Sequence, residues 1–395
     1  MIRFHTNLLL AEGWFRYSQV AIWTTLLLGV SHYLHYHLQD YLTRDASECV
    51  YFSETSVGED LRTELHTFDN IFTRKMLKHL PERDIFIYGP TCAGFGNQLF
   101  KYASLYGLGK RLHRQPFFDI REKCQLEMEM EIRMVFFGFY GRMYFYTPST
   151  AASTKTYSFA NCCKYVVPDD IKNRTEHLIR IDGALQNYRY FHDYRHDLRI
   201  ILKCLPTIEE NISDANLNLP RATPLNPHEI RLIFLRLYSV ENMSNRAHRK
   251  ICVHTRLGDF VHAKLATSFN YTVRAIDHII ENETLQNPQA VFSVLLLGID
   301  NFFLESVKVA KEKEFKPNAN IRYFVPRSQS RALDMCYGMH TCDTILITAG
   351  ASTYSWWMAY LSNATIYYNP NFEGLSEYNV DNFLPEWNQL RITDL

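Results

Sequence analysis

Gly350-Ala351-Ser352-Thr353-Tyr354-Ser355-Trp356-Trp357-Met358-Ala359-Tyr360-Leu361-Ser362 is the stretch that decides how the chain folds. The apolar run Ile345-Leu346-Ile347-Thr348 leads into it and reads as a buried parallel strand. Small residues at 349–351 make a tight turn, and the hydroxyls of Ser352, Thr353 and Ser355 stand where a helix would start. A helix N-terminus offers unpaired backbone N–H groups and the positive end of a dipole. Strand, turn and helix start together therefore make a cradle suited to phosphate. The same residues also suit a capped helix with two core tryptophans, and this segment alone does not choose between the two.

Two further segments bear on that choice. Ile251-Cys252-Val253-His254-Thr255-Arg256-Leu257-Gly258-Asp259-Phe260 reads as a short strand ending in His-x-Arg-x-x-Asp. Ligands of open α/β sheets bind beyond the carboxyl ends of the strands, so Arg256 stands where a guanidinium fork could clamp an anion. His254 could bond the ligand or the loop, and Asp259 could pair with Arg256 or orient a hydroxyl. The plain alternative is a strand-end Arg–Asp surface pair with a packed His. Gly94-Phe95-Gly96-Asn97-Gln98-Leu99-Phe100 follows a short strand at 85–88 and opens a helix with apolar residues at helical spacing. Its two glycines would let backbone approach a ligand closely, and Asn97 could cap the helix or reach a nucleotide. The third glycine of a dinucleotide fingerprint is missing.

In this order the three segments resemble the α-1,2-fucosyltransferases of glycosyltransferase family 11. That family carries a Gly-Leu-Gly-Asn-Gln-Leu-Phe-like opening, a His-x-Arg-Arg-Gly-Asp strand end and a Ser-Thr-Phe-Ser-Trp-Trp helix start. Further similar stretches are Ile181-Asp182-Gly183-Ala184-Leu185-Gln186, Leu297-Gly298-Ile299-Asp300, Asp334-Met335 and Tyr367-Tyr368-Asn369-Pro370. The likeness spans roughly residues 85 to 375. Four positions depart from it: Leu257 replaces the second arginine, Phe95 breaks the glycine-leucine pattern, Ala351 replaces an asparagine, and Ile299 replaces the first of two aspartates. The resemblance implies a GT-B type pair of Rossmann-like domains, GDP-fucose as donor and a glycan acceptor. It implies inverting transfer of L-fucose to a galactose-type hydroxyl, with an α-1,2 linkage expected. By the same likeness Arg256, His254 and Asp259 are the candidate catalytic residues. Asn97, Gly96, Asp300, Ser352, Thr353 and Ser355 are the candidates for the nucleotide. A luminal sugar- or nucleotide-binding protein without turnover is the alternative, invited by Leu257.

Composition bounds the remaining classes. The 395 residues are 47% hydrophobic and 21% charged, with 42 basic and 42 acidic side chains, so bulk charge does not point to nucleic acid. No two aspartates are separated by one residue, which removes the usual Mn²⁺ cage on a sugar diphosphate, and no metal is expected. P-loop and serine-hydrolase signatures are absent. Residues 17–36 form an uncharged, largely apolar span of about 20 residues, near the minimum for a membrane crossing. Arg3 and Arg16 precede it and acidic residues follow, which orients 1–16 to the cytosol and the rest to the lumen. A signal peptide cleaved near Gly29-x-Ser31 is the competing reading. A single-pass type II protein is the expectation, and the family resemblance implies the Golgi membrane.

Asn-x-Ser/Thr sites at Asn173, Asn211, Asn242, Asn270, Asn282 and Asn363, and nine cysteines beyond the apolar span, suit a lumen. Some cysteines should pair there, and the odd count leaves at least one over. The expected organisation is a cytosolic tail 1–16, anchor 17–36, stem 37–84, an acceptor-side α/β domain 85–246 and a nucleotide-sugar-binding α/β domain 247–395. Strands are expected at 85–88, 160–167, 178–181, 251–254, 291–297, 321–324, 344–348 and 365–368. Helices are expected at 97–112, 228–240, 273–283, 302–314, 331–338 and 352–361, with a loop at 211–227.

Overall fold

The computed structural model describes residues 49–51, 75–77, 85–88, 93–118, 131–132, 135–139, 144–145, 155–160, 162–172, 174–176, 178–204, 248–314, 320–326, 330–372, 375 and 378–395. The tail 1–16, the anchor 17–36, the loop 211–227, the helix 228–240, the boundary at 246/247 and the sites Asn173, Asn211 and Asn242 lie outside the described residues. Among the described residues no helix is long and apolar enough to cross a membrane.

The described residues form two sheets. The second is the simpler. Strands β8 (His248–His254), β9 (Val291–Leu297), β10 (Ile321–Phe324), β11 (Thr344–Ile347), β12 (Thr365–Tyr368) and β13 (Asn388–Gln389) form one parallel sheet in the order β10-β9-β8-β11-β12-β13. Its central strands carry buried apolar stretches, Ile251–Val253 in β8, Val294–Leu297 in β9 and Ile345–Ile347 in β11, because both faces are covered. Ile251, Val253, Val294, Leu296 and Leu346 pack into a core with Ile276, Ile279, Leu304 and Val307 of the helices Phe269–Gln286 and Asn301–Glu314. The alternate residues Cys252, Leu295, Ile345 and Ile347 face the opposite side and are fully buried there. Cys252 is bonded to Cys342, just past the helix Arg331–Thr341, which ties that helix to β8.

The first sheet contains β1 (Cys49–Tyr51), β2 (Lys75–Leu77), β3 (Ile85–Tyr88), β4 (Gln115–Phe118), β5 (Tyr144–Phe145), β6 (Lys155–Ala160) and β7 (Leu178–Gly183), in the order β2-β1-β5-β4-β3-β7-β6. Strands β5, β4, β3, β7 and β6 are parallel, and β1 and β2 add an antiparallel edge. Two expectations change here. The strand expected at 160–167 lies at 155–160, and residues 164–167 carry no strand. Its Lys-Thr-Tyr-Ser-Phe-Ala sequence lacks the apolar run of the central strands, as its edge position allows. The span expected to be stem, 37–84, contributes β1 and β2 to the first sheet, and its remaining residues lie outside the described ones.

Numbered in chain order, the longer helices are α1 (Phe95–Leu112), α2 (Arg195–Ile201), α3 (Phe269–Gln286), α4 (Asn301–Glu314), α5 (Arg331–Thr341) and α6 (Thr353–Leu361). The elements that place the site are α1 and α6. The two tryptophans of α6 are fully buried. Trp357 stacks on Phe191 with ring centroids 5.3 Å apart, and Phe100 of α1 lies 4.6 Å from Trp356. The last carbonyls of α6 are met by cations from α2: Arg195 donates to Tyr360 O at 3.3 Å and Arg199 to Ser362 O at 2.9 Å. Positive charge at a helix C-terminus is the favourable sign for its dipole. Cys204, just past α2, is bonded to Cys336 of α5. Cys49, Cys92 and Cys124 are outside the described side chains.

Candidate active site

A cleft of about 520 Å³ opens where the start of α1, the carboxyl end of β8 and the start of α6 meet. It is lined by Gly96, Asn97, His254, Arg256, Asp259, Ser352 and Thr353, which were read from three separate segments of the sequence. Ser355 lies behind that surface, fully buried, and Asp300 is not part of the lining. The Asp300 carboxylate accepts from Phe303 N at 2.9 Å, so it caps α4, and its exposed position leaves it off the cleft wall.

The hydroxyls of α6 have partners inside the protein. Ser352 caps the helix, accepting from Ser355 N at 3.4 Å. Thr353 Oγ1 donates to Asn97 Oδ1 at 2.6 Å, a bond across 256 positions that joins the two helix starts. Ser355 Oγ and His254 Nδ1 are 2.6 Å apart. What faces the cleft at this helix start is therefore mainly backbone, with the positive end of the α6 dipole.

Gly96 serves the same junction. A Cβ there would stand 2.5 Å from Thr353 C and Tyr354 N. Its missing side chain lets α1 touch the backbone of α6, where the sequence suggested close approach to a ligand. Gly94 has no atom within 4 Å of such a Cβ and faces open space.

Arg256 is the cation of the β8 end. Its backbone N–H donates to Thr267 Oγ1 at 2.8 Å, fixing the main chain independently of the guanidinium. Its Nη2 bonds Asp259 Oδ1 at 2.6 Å, and its Cζ lies 5.0 Å from the centroid of the Phe260 ring. The side chains of Arg256 and Asp259 are 36% and 69% exposed, and an ion pair in that setting contributes about 0–1 kcal/mol. A bound diphosphate could exchange with Asp259 at little cost. Leu257, the departure beside Arg256, is not part of the cleft lining.

His254 is buried, and burial together with the neighbouring Arg256 charge lowers its pKa from 6.5 to about 3. The imidazole is neutral at physiological pH and bonds the first turn of α6, with Ser355 as its partner. Because folding lowers this pKa, the stability it contributes is whole above pH 6.5 and is lost as pH falls toward 3. The loss amounts to up to about 1.4 kcal/mol per pH unit. His254→Asn, which keeps an amide beside Ser355, is expected to flatten this acid limb. Denaturant unfolding from pH 7 to pH 4 measures it, and an unchanged slope would contradict a buried neutral imidazole.

Sequence reasoning passed over two contributors. Tyr354 donates its hydroxyl to Arg331 O at 2.6 Å, and its ring lies 5.1 Å from His254 and 6.1 Å from Phe95. Burial raises the Tyr354 hydroxyl well above its usual pKa, so it remains a donor. Arg331 lines the cleft at the start of α5, with its fork held by Glu131 at 2.6 and 2.8 Å. Glu131 also accepts from Ala332 N and so caps α5. Neither had a local signal, because each depends on partners distant in sequence. Among the described residues no group of three or more His, Cys, Asp or Glu side chains is placed to hold a metal ion. Of the described sequons, Asn270 and Asn363 are exposed, and Asn282 is half-buried on α3 beside His278.

An arginine at the carboxyl end of a central parallel strand, beside an open helix start on the next strand's loop, gives this α/β protein the geometry of an anion site. The family model described as Glycosyl transferase family 11 matches residues 228–391. "Putative galactoside 2-alpha-L-fucosyltransferase svh-11" of Caenorhabditis elegans is 30% identical over 278 residues, covering 69% of this chain and 68% of that one. A Caenorhabditis elegans galactoside 2-alpha-L-fucosyltransferase is 26% identical over 330 residues, covering 76% and 75%. Among solved structures, a mutant of Arabidopsis thaliana FUT1 in complex with GDP superposes with a TM-score of 0.47 at 13% identity, covering 74% of this chain and 71% of that one. Fucosyltransferase NodZ from Bradyrhizobium superposes at 0.41 and 16%, covering 71% and 94%. The chain belongs to glycosyl transferase family 11 and is a glycosyltransferase.

Proposed function

We propose that this glycosyltransferase moves L-fucose from GDP-fucose to a galactose-type hydroxyl of a glycan, with inversion and an α-1,2 linkage. The observation that carries the reading is the meeting of Arg256, the α6 start and the Asn97–Thr353 bond at one cleft. The names of the relatives agree with it. The acceptor oxygen attacks the fucose carbon as the bond to GDP breaks, through an oxocarbenium-like state. Negative charge grows on the β-phosphate, where Arg256, released from Asp259, and the positive end of α6 stabilise it. His254 fixes that helix start through Ser355, and with its pKa lowered to about 3 it is a poor base. Asp259, once freed from Arg256, is a carboxylate of the cleft wall that could take the acceptor proton. The architecture is read as GT-B, with an acceptor-side domain 85–246 and a donor-side domain 247–395.

The test is incubation of the full chain with GDP-fucose and a panel of galactose-terminated glycans, followed by linkage analysis. An α-1,2 fucoside is expected, and a chain that binds the nucleotide without product would favour the binding-protein alternative. Transfer is expected to survive EDTA, since no Asp-x-Asp pair offers a diphosphate metal cage. Loss in EDTA with rescue by Mn²⁺ would contradict the metal-free reading.

The same proposal places the protein in the Golgi membrane as a single-pass type II chain, with the glycan sites in the lumen. Deleting residues 1–40 behind a foreign secretion signal is expected to release soluble glycoprotein. A full-length chain that is soluble and unglycosylated in the cytosol would refute this topology.

A further inference from the structure

At the carboxyl end of β6, on the first sheet, Cys162 and Cys163 are joined by a disulfide between neighbours in sequence. Both line the cleft, as does Gln186. Cys162 is exposed and Cys163 is buried. The loop is firmly held. The Cys163 carbonyl accepts from Asn187 Nδ2 at 2.9 Å and from Asn382 Nδ2 at 2.6 Å, and the Cys162 carbonyl accepts from Gln186 N at 3.0 Å. Cys162 and Leu185 both adopt positive φ, 30° and 53°, as does Gly183 at 107°. Positive φ at a non-glycine residue costs of order 1–3 kcal/mol and persists only where its surroundings over-determine it, most often at functional sites.

A crosslink between adjacent residues closes no chain loop, so it contributes little by restricting the unfolded state. Its effect is local. It sets an apolar, polarisable sulfur surface on the cleft wall beside a neutral amide, with the donor-side cation on the other sheet. A galactose-type pyranose gathers C–H groups on one face and carries hydroxyls at its edge, and it suits such a pairing.

We propose that the Cys162–Cys163 disulfide and Gln186 form the acceptor subsite, the sulfur pair taking the C–H face of a galactose-type sugar and the Gln186 amide an adjoining hydroxyl. The proposal rests on the fucosyl-transfer reading of the cleft, with acceptor and donor held by different sheets.

The test uses the full chain and two double variants, Cys162→Ala/Cys163→Ala and Cys162→Ser/Cys163→Ser. Acceptor KM is expected to rise about tenfold, equivalent to ~1.4 kcal/mol, with GDP-fucose KM held within about twofold. An unchanged acceptor KM, or both KM values rising together, would overturn the proposal. So would peptide mapping that finds the two cysteines unpaired in the parent. If the parent transfers nothing from GDP-fucose, the fucosyl-transfer reading fails by itself. Saturation-transfer NMR of a β-galactoside with GDP present then decides the subsite: signal lost in the variants supports it, and equal or absent signal refutes it. Should neither variant fold, the parent is treated with a water-soluble phosphine. This breaks the S–S bond to two thiols and becomes the phosphine oxide with oxygen from water. Saturating β-galactoside is expected to slow thiol appearance at Cys162 and Cys163 while GDP does not, and equal rates would refute the subsite.

Discussion

Arg256→Lys is expected to lower transfer by about 10²–10³-fold while leaving the folded protein intact. The main chain at this position is fixed by the bond from its N–H to Thr267. The side chain contributes only an exposed ion pair to Asp259 and a contact with Phe260. Losing these costs about 1 kcal/mol or less of stability. The loss in rate has a different origin. Arginine offers a planar fork that can meet two phosphate oxygens at once, whereas lysine offers one point charge. The departing diphosphate carries more charge in the transition state than in the bound donor, so kcat should fall further than donor KM rises. Steady-state kinetics with a melting curve measure both. Near-normal turnover would remove Arg256 from the role of leaving-group clamp.

Gly96→Ala is expected to destabilise the protein by about 1–3 kcal/mol or more and to abolish most transfer. Its sign is informative. Within a helix, alanine is favoured over glycine by about 1 kcal/mol, so a net loss must come from the contact and not from propensity. That contact is the backbone of Thr353 and Tyr354, 2.5 Å from the new methyl carbon. Backbone cannot turn aside as a side chain would, so α1 and α6 must part and the Asn97–Thr353 bond must stretch or break. Gly94→Ala, which meets open space two residues earlier, is expected to change stability little. Denaturant unfolding of the two variants gives the comparison, and a Gly96→Ala protein as stable as its parent would show that the helices do not meet as described.

The contrast between these glycines marks what could be read before the fold was known. Both were visible as a flexible turn ahead of a helix, but which one touches backbone depends on a helix some 256 positions away. Strands β9, β10 and β12 were legible to the residue, β9 because burial on both faces leaves a nearly continuous apolar run. β6 was misplaced because an edge strand need not carry that run. The residues around the cleft were legible where a strand end or helix start concentrates polar groups, as at Arg256 and Ser352. Their partners were not. Ser355 turns to His254, Asp300 caps α4 and Glu131 holds Arg331, each a consequence of packing. The cysteine pairs Cys204–Cys336 and Cys252–Cys342 were likewise set by chain return, which no spacing in the sequence encodes.

The most direct test of the central claim is an experimental structure of the protein with GDP bound. The β-phosphate is expected against the Arg256 guanidinium and the start of α6, with Arg256 released from Asp259. GDP seated elsewhere, or in the cleft with the Arg256–Asp259 pair unbroken and its phosphates turned away from both, would contradict the account.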